Sequence, residues 1–141
     1  MSEFHAQKTL YKDAECLIHA LKAQGYCEIE VHEHAQQLYD YQGRATHYLD
    51  PEGDKGHIIV RRHIVGGAAN DLAFRKNVDG TFDAIVSQFD QHKHNADWMK
   101  SLKKSYTEAV DMKLAKKHGL RFLGRKVVGG RVQLQFLDTR G

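Results

Sequence analysis

Leu72-Ala73-Phe74-Arg75-Lys76-Asn77-Val78-Asp79-Gly80-Thr81-Phe82-Asp83-Ala84-Ile85-Val86 is the stretch that decides the fold. Two strand-like runs, Leu72 to Lys76 and Thr81 to Val86, flank Asn77-Val78-Asp79-Gly80. Asp-Gly between two such runs signals a β-hairpin, because both residues tolerate positive φ in a tight turn. Upstream, Gly56 to Val65 is dense in β-branched residues and reads as a strand that Gly66-Gly67 ends. Short links between neighbouring strands build an antiparallel sheet, since parallel neighbours need a long crossover.

Working toward the N-terminus, Asp50-Pro51-Glu52-Gly53-Asp54 is a turn-rich loop, and Leu38 to His47 suggests a further strand with Gly43 at a turn. Tyr26 to His34 has period two: Ile29 and Val31 point one way, toward the core, and Glu28, Glu30, His32 and His34 point the other, toward water. Before it, Ala14, Leu17, Ile18 and Leu21 recur at helical spacing, with Asp13 as N-cap and Gly25 as the left-handed stop. Phe4 to Leu10 reads as a short first strand.

Toward the C-terminus, a long helix starts near Asn95 or Asp97, with Trp98, Leu102, Tyr106, Ala109 and Val110 as its apolar stripe. Lys116, Lys117 and His118 suit the negative end of its dipole, and Gly119 stops it. Val127-Val128-Gly129-Gly130-Arg131-Val132 forms a second hairpin, with Val132, Leu134 and Phe136 on one face. The expected class is α+β: a mainly antiparallel sheet with two helices packed on one face. The element order leaves room for an internal β-α-β-β duplication.

The totals agree with one domain over residues 1–141. Apolar residues make up 41% and charged residues 28%, a globular composition. No apolar run approaches the roughly 18 residues of a membrane span, and the first residues lack the pattern of a secretory signal. A cytoplasmic protein without a membrane partner is therefore expected. Cys16 falls in the first helix and Cys27 near the second strand, and both read as reduced, partly buried apolar residues. The net charge of +3 is unevenly spread. Residues 1–90 carry 9 Lys and Arg against 14 Asp and Glu, a balance of −5, whereas residues 91–141 carry 12 against 4, a balance of +8.

Several motifs recur in order along the chain: Met1-Ser2-x-Phe4, Ala20-Leu21-Lys22-x-x-Gly25-Tyr26 and Tyr41-Gln42-Gly43. Asp71-Leu72-x-Phe74-x-x-Asn77-x-Asp79-Gly80-Thr81-Phe82 follows, then a helix with Tyr106 and Ala115 running into Gly119. Together they resemble domain-of-unknown-function family 1257, the conserved plastid reading-frame proteins also found in bacteria and in some phages. The chain departs from that pattern in a longer His47–His63 segment and a histidine-rich Gln88–Asn95 link. The resemblance implies no catalytic residues. It implies a partner protein, an AAA-type ATPase or a host factor, because some bacterial members are encoded beside such ATPases.

Ten histidines are the first candidates for chemistry. His32 and His34 lie two apart on a strand, so their rings share a face, and His92 and His94 repeat the spacing. A transition metal would need these four, or three of them, to converge; the alternative is a solvated polar face. Protonating several of ten histidines would also make affinity or stability depend on pH. Ser87, Ser101 and Ser105 lack a nucleophile motif, and neither a P-loop nor a GxGxxG is present, so no cofactor is expected. The basic third is the larger feature. Lys100, Lys103 and Lys104 share one side of the long helix, and Arg121, Arg125, Lys126 and Arg131 lie on or near the last hairpin. That density of cations fits an acidic protein surface or a phosphate backbone. Three functions follow, in this order: a non-catalytic adaptor or regulator that binds another protein, a nucleic-acid-binding accessory domain, and a small metal-dependent enzyme.

Overall fold

The computed structural model describes residues 3–129 and 131–138. Five strands form one antiparallel sheet, in the spatial order β1 (Phe4–Lys8), β5 (Phe82–Ser87), β4 (Leu72–Lys76), β3 (Lys55–Val60) and β2 (Glu30–Gln37). Alternation along the three central strands divides the core in two. Ile58, Val60, Leu72, Phe74, Phe82, Ala84 and Val86 face one side. Ile59, Ala73 and Ile85 face the other, with Phe4 of β1. The first side is covered by α1 (Ala14–Ala23) through Leu17, Ala20 and Leu21, and by α3 (Ala96–Lys117) through Leu102, Trp98 and Tyr106. Thus the α+β class is observed, with two long helices on one face of an antiparallel sheet. No helix among the described residues is long and apolar enough to cross a membrane.

Both helices begin as their sequences dictate. Asp13 accepts the Cys16 N–H at 2.9 Å, and Asn95 accepts that of Trp98 at 2.9 Å. Burial pushes the Asp13 carboxyl up, but Lys113 Nζ at 2.6 Å and the Cys16 amide outweigh it and hold the group below its ordinary range. Gly25 and Gly119 take positive φ at the two C-termini. The turn between β4 and β5 differs in detail from expectation. Only Gly80 has positive φ, at 89°, while Asp79 accepts from Thr81 N at 2.9 Å and Gly80 N donates to Asn77 O at 3.0 Å. Asp79 therefore contributes its carboxylate to the turn, and glycine alone supplies the left-handed backbone.

The second sheet face is covered without a helix. Residues 38–47 do not form the expected strand; Tyr39 and Ala45 make one isolated bridge within a segment that loops from 38 to 54. Leu38 and Leu49 plug the core from this loop. Its backbone is satisfied by the fully buried Asp54, which accepts from Tyr48 N at 2.9 Å and Leu49 N at 2.6 Å. The strand expected to run to Val65 stops at Val60, and α2 (Arg62–Val65) follows, its Arg62 N–H held by Asp71 at 2.8 Å. On edge strand β2, Val31 is 56% exposed, against expectation, while Glu30 and His32 are half-buried. Glu30 turns inward because Arg61 meets it from β3's end. Cys27 is exposed; only Cys16 is buried, and both are free thiols.

After α3, β6 (Leu120–Val128) and β7 (Arg131–Asp138) pair only with each other. The order β-α-β-β occurs twice along the chain, but the second hairpin does not join the five-stranded sheet. The side chains of Val132 and Phe136 lie outside the described part.

Candidate binding groove

Helix α3 has its apolar stripe on the sheet side, so residues at the remaining positions face outward. Lys100, Lys103 and Lys104 are all exposed, three and four apart on one face. Thr107, Glu108 and Asp111 continue that face, and Arg131 and Leu134 of β7 stand opposite. Together these eight residues line a groove of about 510 Å³. From Lys100 to Asp111 the helix rises roughly 16 Å at ~1.5 Å per residue. Leu114, half exposed, extends the face by another turn. Four of the seven basic residues singled out by sequence are thus brought together. The side chains of Arg121, Arg125 and Lys126, which belong to β6, lie outside the described part. Lys113 turns away to α1, where it pairs with Asp13 and, at 3.4 Å, with Glu15.

The four histidines do not converge. His32 Nε2 lies 2.8 Å from Glu30 Oε1, and His34 is exposed. His92 is exposed, with Nδ1 3.1 Å from the Phe89 carbonyl. His94 is buried under Trp98, with ring centroids 4.5 Å apart, and its Nε2 lies 2.6 Å from the Tyr26 hydroxyl. Burial pushes the His94 imidazole down to about 4, against the opposing pull of Asp90. Among the described residues no group of three or more His, Cys, Asp or Glu stands where it could hold a metal ion. The spacing of two along a strand located the pairs but not what each ring meets.

Ser87, Ser101 and Cys16 are engaged structurally. Ser87 Oγ accepts from Phe89 N at 3.2 Å, and Ser101 Oγ accepts from Gln24 Nε2 at 3.1 Å. Burial, reinforced by Asp13, pushes the Cys16 thiol up to about 11, which suppresses its thiolate.

A second cluster was not anticipated from sequence. Arg61 donates to Glu30 at 2.8 and 3.1 Å, to Asp71 at 2.9 Å and to the Gln37 carbonyl at 2.9 Å. Burial alone would lower the Arg61 pKa, but its two carboxylate partners raise it. Conversely, the Arg61 hydrogen bonds hold Glu30 below its ordinary range. Asp71 also accepts the Tyr39 and Arg62 backbone N–H groups, each at 2.8 Å. The adjacent Arg61-Arg62 pair was the available signal, since an arginine ending a buried strand needs buried acids.

No family model matches the chain, and no curated protein or solved structure matches it either. The likeness to domain-of-unknown-function family 1257 rests on short motifs alone.

Proposed function

We propose that the chain is a non-catalytic adaptor or regulatory protein that binds another protein through the groove between α3 and the β6–β7 hairpin. The composition of that groove carries the reading. Lys100, Lys103, Lys104 and Arg131 are interleaved with Glu108 and Asp111 around Leu134. A phosphate track calls for uninterrupted positive charge, and carboxylates within it repel the strand. A protein segment can instead place acids against the lysines, a base against Asp111 and an apolar side chain against Leu134. The groove's length suits about three turns of a helix or a short strand. An AAA-type ATPase or a host factor is the kind of partner to look for first.

The test is affinity capture from the native cell with the wild type and with a Lys100→Glu, Lys103→Glu, Lys104→Glu triple variant. One stoichiometric protein retained by the wild type and lost by the variant supports the reading. Equal retention by both, or recovery of nucleic acid alone, contradicts it.

A further inference from the structure

Three buried polar side chains hold three aromatic rings in water. Asn70, Asp71 and Asp90 are all more than nine-tenths buried. Asn70 Oδ1 accepts the Tyr41 N–H at 2.7 Å, and Asp71 Oδ2 accepts that of Tyr39 at 2.8 Å. Asp90 accepts the Asn70 N–H at 2.8 Å and ends the short 3₁₀ turn that carries Phe89. Buried carboxylates and amides are costly unless satisfied, and aromatic side chains ordinarily go inside. Here the buried groups fix the backbone beneath Tyr39, Tyr41 and Phe89, which are 38, 40 and 50% exposed.

The outward geometry suits a planar, anionic ligand. The Tyr41 and Phe89 rings are offset and nearly parallel, 5.7 Å between centroids and 17° between planes, so another flat ring can extend the stack. Beside them Arg62 donates to the Tyr41 carbonyl at 3.0 Å and pairs with no carboxylate among the described residues. Gly43, at φ +77°, leaves room for it; a Cβ there would come within 3.0 Å of Arg62 Nη2. Tyr39, Gly43, Arg61, Arg62, His63 and Asp71 line a hollow of about 370 Å³, within the roughly 300–1,000 Å³ of small-ligand sites. Arg61 is held between Glu30 and Asp71, two carboxylates to one guanidinium, so Arg62 is the guanidinium of the hollow that has no carboxylate partner among the described residues.

We propose that this face binds single-stranded nucleic acid, with a base stacked on the Tyr41–Phe89 pair and its phosphate on Arg62. Parallel exposed rings beside a guanidinium that makes no ion pair are the elements of a stacking platform that tolerates any base. The site is separate from the α3 groove and stands whether or not that groove binds a protein.

The test is fluorescence anisotropy with labelled oligothymidine, oligouridine and a DNA duplex at low salt. Both single strands are expected to bind, and the duplex much more weakly. Equal affinity for the two strands shows base and phosphate reading, and a preference for oligouridine adds a 2′-hydroxyl contact; either supports the proposal. Tyr41→Ala, Phe89→Ala and Phe89→Leu should each weaken binding about tenfold. Arg62→Ala should lower the salt slope by about 0.7. Circular dichroism melts confirm that each variant is folded. Absence of single-strand binding, equal binding of the duplex, or full affinity in folded Phe89→Leu overturns the proposal. So does a protein partner released by Tyr41→Ala when no oligonucleotide binds.

Discussion

Acidification from pH 8 to 5.5 should destabilise the protein chiefly through His94. The ring is buried against Trp98 and hydrogen-bonds the Tyr26 hydroxyl, and burial brings its pKa from 6.5 down to about 4. Asp90 opposes that shift, while Lys93 and His92 add to it. With the folded value depressed, the unfolded chain binds the extra proton between those two values. Stability is therefore full above about pH 6.5 and falls as pH drops toward 4. At pH 5.5 the loss is about 1.4 kcal/mol, and for a chain of this length it corresponds to a fall in Tm of about 5 °C. Glu30 and Asp13 lie below their ordinary carboxylate values, so their stabilisation is lost only under more acidic conditions. His57 is also lowered, by burial and then by Lys76 and Arg75, and contributes in the same direction. Thermal melts in matched ionic strength at pH 8, 7, 6 and 5.5 measure the effect in the wild type and in His94→Gln. The variant should lose more than half of the wild-type slope. A flat wild-type profile, or an undiminished slope in His94→Gln, would refute the reasoning.

Three further outcomes follow from the same structure. Gly80→Val should cost about 1–2 kcal/mol in urea unfolding, because valine must adopt φ near +89° although nothing crowds its Cβ; an unchanged melting temperature contradicts the turn. Arg61→Ala removes the guanidinium paired with the buried Asp71 and should cost roughly 3–5 kcal/mol; a cost under about 1 kcal/mol would mean that the cluster is ordinary surface pairing. At pH 8 a thiol reagent should modify exposed Cys27 promptly and buried Cys16 only after denaturant is added. Equal rates for the two would show that α1 does not shield its thiol.

Local signals were legible where the chemistry is local. Asp13, Gly25, Asn95 and Gly119 mark helix ends because caps and left-handed stops act within four residues. The Asp79-Gly80 hairpin was legible for the same reason. Residues 38–47 read as a strand, but the Leu38, Tyr39 and Tyr41 amides go to the Asp54 carbonyl, Asp71 and Asn70, partners beyond a loop or far along the chain. Ile64 and Val65 look like strand residues, yet the need to pair Arg61 with Glu30 and Asp71 ends β3 before them. The lysine face of α3 could be placed from helical spacing, but its facing of Arg131 and Leu134 depends on where the hairpin docks. Exposure of Tyr41 and Phe89, and burial of His94, are likewise outcomes of packing that composition does not encode.

The groove between α3 and the β6–β7 hairpin is the central claim, and site-specific photocrosslinking tests it most directly. A photoreactive phenylalanine analogue is placed at Thr107, in the groove, or at Val78, which is fully exposed on the β4–β5 turn. In native cells Thr107 should yield one discrete protein adduct that the triple lysine reversal abolishes, and Val78 should yield none. The same adducts from both positions, or none from Thr107, would contradict the account.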